Sequence, residues 1–248
     1  MGKTLTKGLQ LLERLAASPE PVSILELSRD LDLVQSNVHR LLQTLMQCGY
    51  VQQDALTRRY RCSMRLWELG TQLSDRLDLP RIARPHMQEL ARQTQETVHL
   101  AILDGTDVLY IDKIDSPQPV RSYTRVGGRA PAYCTGTGKM LLAYCEDLKS
   151  ALPGRLVKHT AVTIASHTAL KAALRQVREQ GYSENAGEWR EDVYGMAAPL
   201  FDATGSVPAA IGISGPLARM DADVVRRIRP MLQETARIIS REMGYRGG

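Results

Sequence analysis

Leu5, Leu9, Leu12 and Ala16 recur at helical spacing, and the run stops at Ser18-Pro19, where proline lacks an N–H and its ring clashes with the preceding turn. This predicts a first helix with those four residues as its buried stripe. Ser23 stands three residues before Glu26, the spacing in which each side chain satisfies the other's orphan N–H, and Ile24, Leu27 and Leu31 then share one face of a short second helix. After a break at Asp32-Leu33-Val34, Val38, Leu41, Leu42 and Leu45 form a third stripe, with Asn37, Arg40, Thr44 and Gln47 on the opposite face. Gly49 closes that helix. Residues 50–53 and 58–62 then read as two strands around a loop at 54–57.

Further along, Leu66, Leu69, Leu73 and Leu77 precede Pro80 and predict a leucine-lined linker helix. Residues 85–97 carry a helical pattern through Met87, Leu90, Ala91 and Thr94. They feed a hairpin of 98–103 and 108–114 about the turn Asp104-Gly105-Thr106-Asp107. A second turn at 201–206 joins 196–201 to 208–214, and a long helix follows the capping Asp221 to about Met243. Helices beside an antiparallel sheet make the chain α+β, divided as residues 1–63, a linker helix 64–79 and a domain 80–248.

A chain of 248 residues, 43% hydrophobic, has enough apolar side chains for two compact domains, which argues against disorder. No run approaches the roughly eighteen apolar residues of a membrane span, and residues 1–10 are polar, so a cytoplasmic protein with no membrane partner is expected. The net charge of +5 decides little, but its placement decides more: between residues 35 and 65, five arginines (Arg40, Arg58, Arg59, Arg61, Arg65) face one acid, Asp54. Cys48, Cys62, Cys134 and Cys145 form no C-x-x-C pair and the histidines no H-x-x-x-H, so no metal site and no cofactor are expected.

Two short helices separated by a brief turn, the second opening on Gln35, Ser36 and Asn37, suit the major groove of double-stranded DNA. Asn37 and Gln35 can pair bidentately with adenine, and Arg40 with guanine or a phosphate. His39 and Thr44 complete the candidate reading face. A basic hairpin directly after such a helix reads as a wing, with Arg58 and Arg59 placed to neutralise phosphates or enter the minor groove. A solvated face of an all-α domain is the alternative for the polar stripe alone. The run from Lys7 to Gly70, with E-L-S-R-D-L-D-L, S-N-V-H-R-L-L-Q-T-L, G-Y-V and R-R-Y-R-C-S-M-R-L-W-E-L-G, resembles the IclR family of transcription regulators. That family usually has threonine where this chain has Asn37. The resemblance implies a homodimer, with tetramers an open alternative, that sets two recognition helices about 34 Å apart on operator DNA.

The C-terminal part carries no enzymatic signature. Gly136-Thr137-Gly138-Lys139 lacks the glycine and hydroxyl of a phosphate loop, because Tyr133 and Met140 occupy those places. Pro216 stands where a nucleophile elbow needs its last glycine. The stretches 126–131, 134–139, 185–188, 197–199 and 213–216 instead resemble the family's GAF-like effector domain. The resemblance implies an effector site at Gly136, Thr137, Asn185, Gly195, Gly212 and Ser214, with Tyr133 beside it. Gly136 and Thr137 open a helix whose free N–H groups can receive a carboxylate, which suggests a small organic acid. Asn185, Gly195 and Gly212 depart from the acid, cysteine and serine of small-acid sensors, so a larger and less polar pocket is expected, and because Ala132-Tyr133-Cys134-Thr135 resembles the branch controlling aromatic-acid catabolism, an aromatic or comparably bulky carboxylate is expected in it. A C-terminal domain that only oligomerises remains the alternative.

Overall fold

The computed structural model describes residues 3–74, 78–121 and 124–247. The chain separates into two compact units, Met1–Leu77 and Asp78–Gly248, each with its own core.

Unit one holds α1 (Lys3–Ala16), α2 (Ile24–Asp30), α3 (Gln35–Gln47), β1 (Val51–Gln53), β2 (Tyr60–Cys62) and α4 (Arg65–Ser74). The capping box at the start of α2 forms as read: Ser23 N–H donates to Glu26 Oε2 at 2.7 Å and Glu26 N–H to Ser23 Oγ at 3.3 Å. The core gathers Leu11, Leu15, Leu27, Val38, Leu41 and Leu42 with Val22, Val51 and Tyr60, each fully buried leucine contributing about 1.5–3 kcal/mol. The α1 stripe departs from expectation. Leu5 and Leu9 are 71% and 51% exposed and Ala16 is exposed, while Leu11 and Leu15 are buried. Helical spacing admits either phase here, and a Cβ on Gly8 would stand 3.8 Å from the Leu41 side chain, which puts the Gly8–Leu11–Leu15 face against α3. In α3 the predicted stripe is found, with Leu45 only half-buried. Gly49 adopts φ +79°, a left-handed conformation that lets the chain leave the helix and enter β1. β1 and β2 pair antiparallel, Val51 opposite Cys62, and Val22 exchanges both backbone bonds with Tyr60 at 2.8 Å.

Unit two holds α5 (Asp78–Thr94), β3 (Thr97–Asp104), β4 (Asp107–Ile114), β5 (Arg129–Pro131), α6 (Gly136–Tyr144), α7 (His167–Gln180), β6 (Ser183–Ala186), β7 (Val193–Leu200), β8 (Ala209–Pro216) and α8 (Ala222–Glu242). The strands form one antiparallel sheet in the order β5-β4-β3-β8-β7-β6. Alternation along β8 assigns its two faces. Ala209, Ile211 and Ile213 join the core with α5 and α8, while Ala210, Gly212 and Ser214 point to the side of α6 and α7. The two-residue turn at Gly105-Thr106 and the Asp221 cap on α8, which accepts from Asp223 and Val224, match the sequence reading.

Pro80 does not stop a helix as expected. It lies in the first turn of α5, where its missing N–H has no partner to lose, and α5 continues through Pro85 rather than beginning there. Thr97 opens β3 instead of closing a helix. Of the linker stripe, Leu66 is half-buried and Leu69 exposed; Leu77 and the side chain of Leu73 lie outside the described residues.

Candidate functional site

Two regions carry the candidate residues. In unit one, α3 buries Val38, Leu41 and Leu42 and leaves Gln35, Ser36, His39, Arg40 and Thr44 exposed, with Asn37 half-buried. Val34 offers no side-chain cap, so the N–H groups of Gln35 and Ser36 stay available at the positive end of the helix dipole. Arg40 Nη2 donates to Asn37 Oδ1 at 3.3 Å, which joins two of the candidate reading side chains on the surface.

The wing is ordered by Asp54, whose Oδ1 accepts from Thr57 N at 2.7 Å and Leu56 N at 3.0 Å. Those bonds, Thr57's first, hold the Asp54 carboxyl below its usual pKa range. The two wing arginines differ. Arg59 donates to Glu26 Oε2 and to the Pro21 carbonyl, each at 3.1 Å, so its charge is engaged within the unit. Arg58, at φ +57°, is exposed and forms no ion pair among the described residues.

In unit two, the sheet and the start of α6 enclose a cavity of about 690 Å³. Its floor is a row across three strands, Asn185, Gly195 and Ser214, in direct register. α6 lies close above this row: a Cβ on Gly136 would stand 3.2 Å from the Gly195 carbonyl carbon, and Ser183 Oγ donates to the Gly136 carbonyl at 2.7 Å. Thr135 Oγ caps Gly138 N–H, and Lys139 N–H bonds the Thr135 carbonyl. The N–H groups of Gly136 and Thr137 are then the free ones at this helix end. Asn185 Oδ1 accepts from Glu188 N–H at 2.7 Å, so its amide nitrogen is the group left to donate.

Among the described residues, four buried side-chain atoms of the lining have no hydrogen-bond partner: His99 Nδ1, Thr124 Oγ, Thr137 Oγ and Ser214 Oγ. Burial, with Lys113 nearby, lowers the His99 pKa to about 4, so the imidazole is neutral at physiological pH. Burial likewise pushes the Tyr110 hydroxyl up to about 12, and the two rings meet edge to face at 5.0 Å. Arg121, Arg125, Arg129 and Arg190 also line the cavity, against the single acid Asp192. Arg129 pairs with Asp104 and Arg121 with Asp115, whereas Arg125 forms no ion pair among the described residues. A partly cationic cavity with buried hydroxyls in its lining suits an anion that carries further oxygen atoms.

Gly136, Thr137, Asn185, Gly195 and Ser214 therefore come together as the resemblance implied, and two residues do not behave as expected. Tyr133 does not line the cavity; it is buried in the α6–α7 core, its hydroxyl donating to the Val157 carbonyl at 2.7 Å. Gly212 does not widen the cavity, because the His99 ring fills its space: a Cβ there would lie 2.6 Å from His99 Nε2. Gly195 does, since a Cβ there would meet nothing closer than 3.9 Å. Sequence reasoning missed His99, Tyr110 and the arginines. The available signal was a histidine in the otherwise apolar strand 98–103.

Comparison with known proteins places the chain among regulators. Residues 4–55 match the family model described as the IclR helix-turn-helix domain, and residues 71–241 that of the bacterial transcriptional regulator IclR C-terminal domain. The HTH-type transcriptional regulator KdgR of Escherichia coli is 41% identical over 227 residues, covering 90% of this chain and 86% of that protein. The Thermotoga maritima IclR crystal structure superposes with a TM-score of 0.82 at 29% identity, over 99% of this chain and all of that one. An IclR homologue from Microbacterium hydrocarbonoxydans complexed with 4-hydroxybenzoate gives 0.83 at 26% identity, over 97% and 99%.

Proposed function

The chain belongs to the IclR family of bacterial transcriptional regulators, and we propose on that premise that it binds operator DNA as a homodimer under the control of an organic acid held in the unit-two cavity. The family is one of regulators rather than enzymes. The observation that carries the DNA side is the exposed face of α3. Gln35, Ser36, Asn37, His39, Arg40 and Thr44 meet base edges and phosphates, and Arg58 reaches a flanking phosphate. Arg59, held by Glu26, acts as a brace for the wing. No helix among the described residues is long and apolar enough to cross a membrane, in keeping with a cytoplasmic site of action.

On the effector side, the orphan atoms of His99, Thr137 and Ser214 favour an acid with hydroxyl or carbonyl oxygens, its carboxylate at the Gly136 and Thr137 N–H groups. A second reading is an aromatic carboxylate and a regulator of aromatic-acid catabolism. It is supported by the open space at Gly195 and by the related structure that contains 4-hydroxybenzoate. The test is fluorescence anisotropy on fragments upstream of neighbouring operons, at fixed ionic strength, with and without acids of both classes. Affinity no better than for random duplex overturns the DNA reading. Absence of any acid-dependent change in DNA affinity or unfolding midpoint leaves the C-terminal unit as an oligomerisation module.

A further inference from the structure

His99 and Gly212 are direct partners across β3 and β8, and the ring of one occupies the space a side chain on the other would need. Only glycine at 212 admits the imidazole. The family resemblance leads one to expect a serine hydroxyl from β8 at this point of the floor, yet β8 offers none here. What the cavity has instead is His99, 4% exposed, whose Nδ1 has no hydrogen-bond partner among the described residues, in a lining it shares with the hydroxyls of Thr137 and Ser214, likewise without one there. An unsatisfied buried nitrogen is costly, and a ligand oxygen that comes within hydrogen-bond reach of it relieves that cost.

We propose that His99 is the specificity-determining residue of the cavity, reading a hydroxyl or carbonyl oxygen of the acid in place of a β8 side chain at position 212. The proposal rests on the effector reading above. A neutral imidazole supplies one donor and one acceptor, so it pairs with an uncharged oxygen and adds nothing for a bare hydrocarbon chain. The carboxylate is held elsewhere, at the start of α6, and loss of His99 erases discrimination while leaving carboxylate capture in place.

The test is calorimetry and thermal unfolding of the full chain with three matched pairs: gluconate and hexanoate, 2-oxobutyrate and butyrate, 4-hydroxybenzoate and benzoate. The wild-type chain binds the oxygenated member of at least one pair about tenfold or more tightly, the equivalent of one hydrogen bond. His99→Ala brings the two members of that pair close to equal affinity, and His99→Gln restores part of the preference. Gly212→Ser alone lowers the unfolding midpoint, and His99→Ala in the same chain recovers part of it by relieving the closer of two contacts. If no acid binds the wild-type chain, the effector reading fails and this one with it. If an oxygenated acid is preferred and His99→Ala leaves the preference intact, or if Gly212→Ser is equally harmful with and without the imidazole, this inference alone fails.

Discussion

Arg59 in the wing and Glu26 in α2, separated by 33 residues in sequence, meet at 3.1 Å, and the same carboxylate closes the capping box with Ser23. One acid thus fixes both the start of α2 and the root of the wing. The Ser23 hydrogen bonds, first, and Arg59 hold its pKa at about 2. A depressed carboxylate contributes stability above its unfolded pKa and loses it as pH falls. Acid titration of the N-terminal unit, followed by circular dichroism, is expected to expose this contribution between about pH 4.5 and 2 and to lose it in Glu26→Gln.

The two wing arginines separate in the same way. Arg58→Ala is expected to weaken DNA binding across all sequences and reduce the salt slope by about 0.9, the value of one phosphate contact. Arg59→Ala is expected to lower the unfolding midpoint and leave that slope unchanged. Anisotropy at several salt concentrations checks both, and equal slopes for Arg58→Ala and wild type would remove Arg58 from the interface.

Two glycines of the cavity region predict opposite outcomes. A Cβ on Gly138 would lie 2.1 Å from the Ala132 carbonyl oxygen, a backbone contact that cannot yield, so Gly138→Ala is expected to destabilise the unit by about 3 kcal/mol or more. Gly195→Ala has room and is expected to change stability by less than about 0.5 kcal/mol while narrowing the cavity and weakening acid binding. Urea unfolding with ligand titration tells the two apart.

Lys139 on α6 and Glu188 after β6 form a buried ion pair, and Glu188 is held further by the Thr160 and Thr163 hydroxyls on its carbonyl. Removing one partner leaves a buried charge, so Lys139→Met or Glu188→Gln is expected to cost about 3–5 kcal/mol. The double replacement Lys139→Met with Glu188→Leu is expected to recover much of that. A cycle showing no coupling would contradict the pairing.

His99 gives the C-terminal unit its own pH dependence. Its folded pKa of about 4 lies below the ordinary 6.5, so the unfolded chain binds more protons between those values. Stability is intact above about pH 6.5 and falls by roughly 3 kcal/mol as pH drops through the window. In His99→Gln that part of the decline is expected to vanish.

The helix-turn-helix was legible because local rules decide it: Ser23 and Glu26 fix a cap, Pro19 and Gly49 fix ends, and the α3 stripe fixes an inside and an outside. The phase of α1 was not, since Leu5, Leu9, Leu11 and Leu15 offer two apolar faces and only packing on α3 selects one. The family resemblance located the cavity floor at residues 185, 195 and 214, whose backbone positions the sheet dictates.

The sequence by itself determined the elements of the helix-turn-helix, the polar face of α3 and the hairpin turn at Gly105-Thr106, because each depends on neighbours within a few residues. Only the tertiary structure decided that Arg59 is spent on Glu26, that Tyr133 belongs to the core and that His99 fills the place left by Gly212. Those outcomes depend on which side chains, far apart along the chain, compete for the same space and the same charge, and strand register settles that competition.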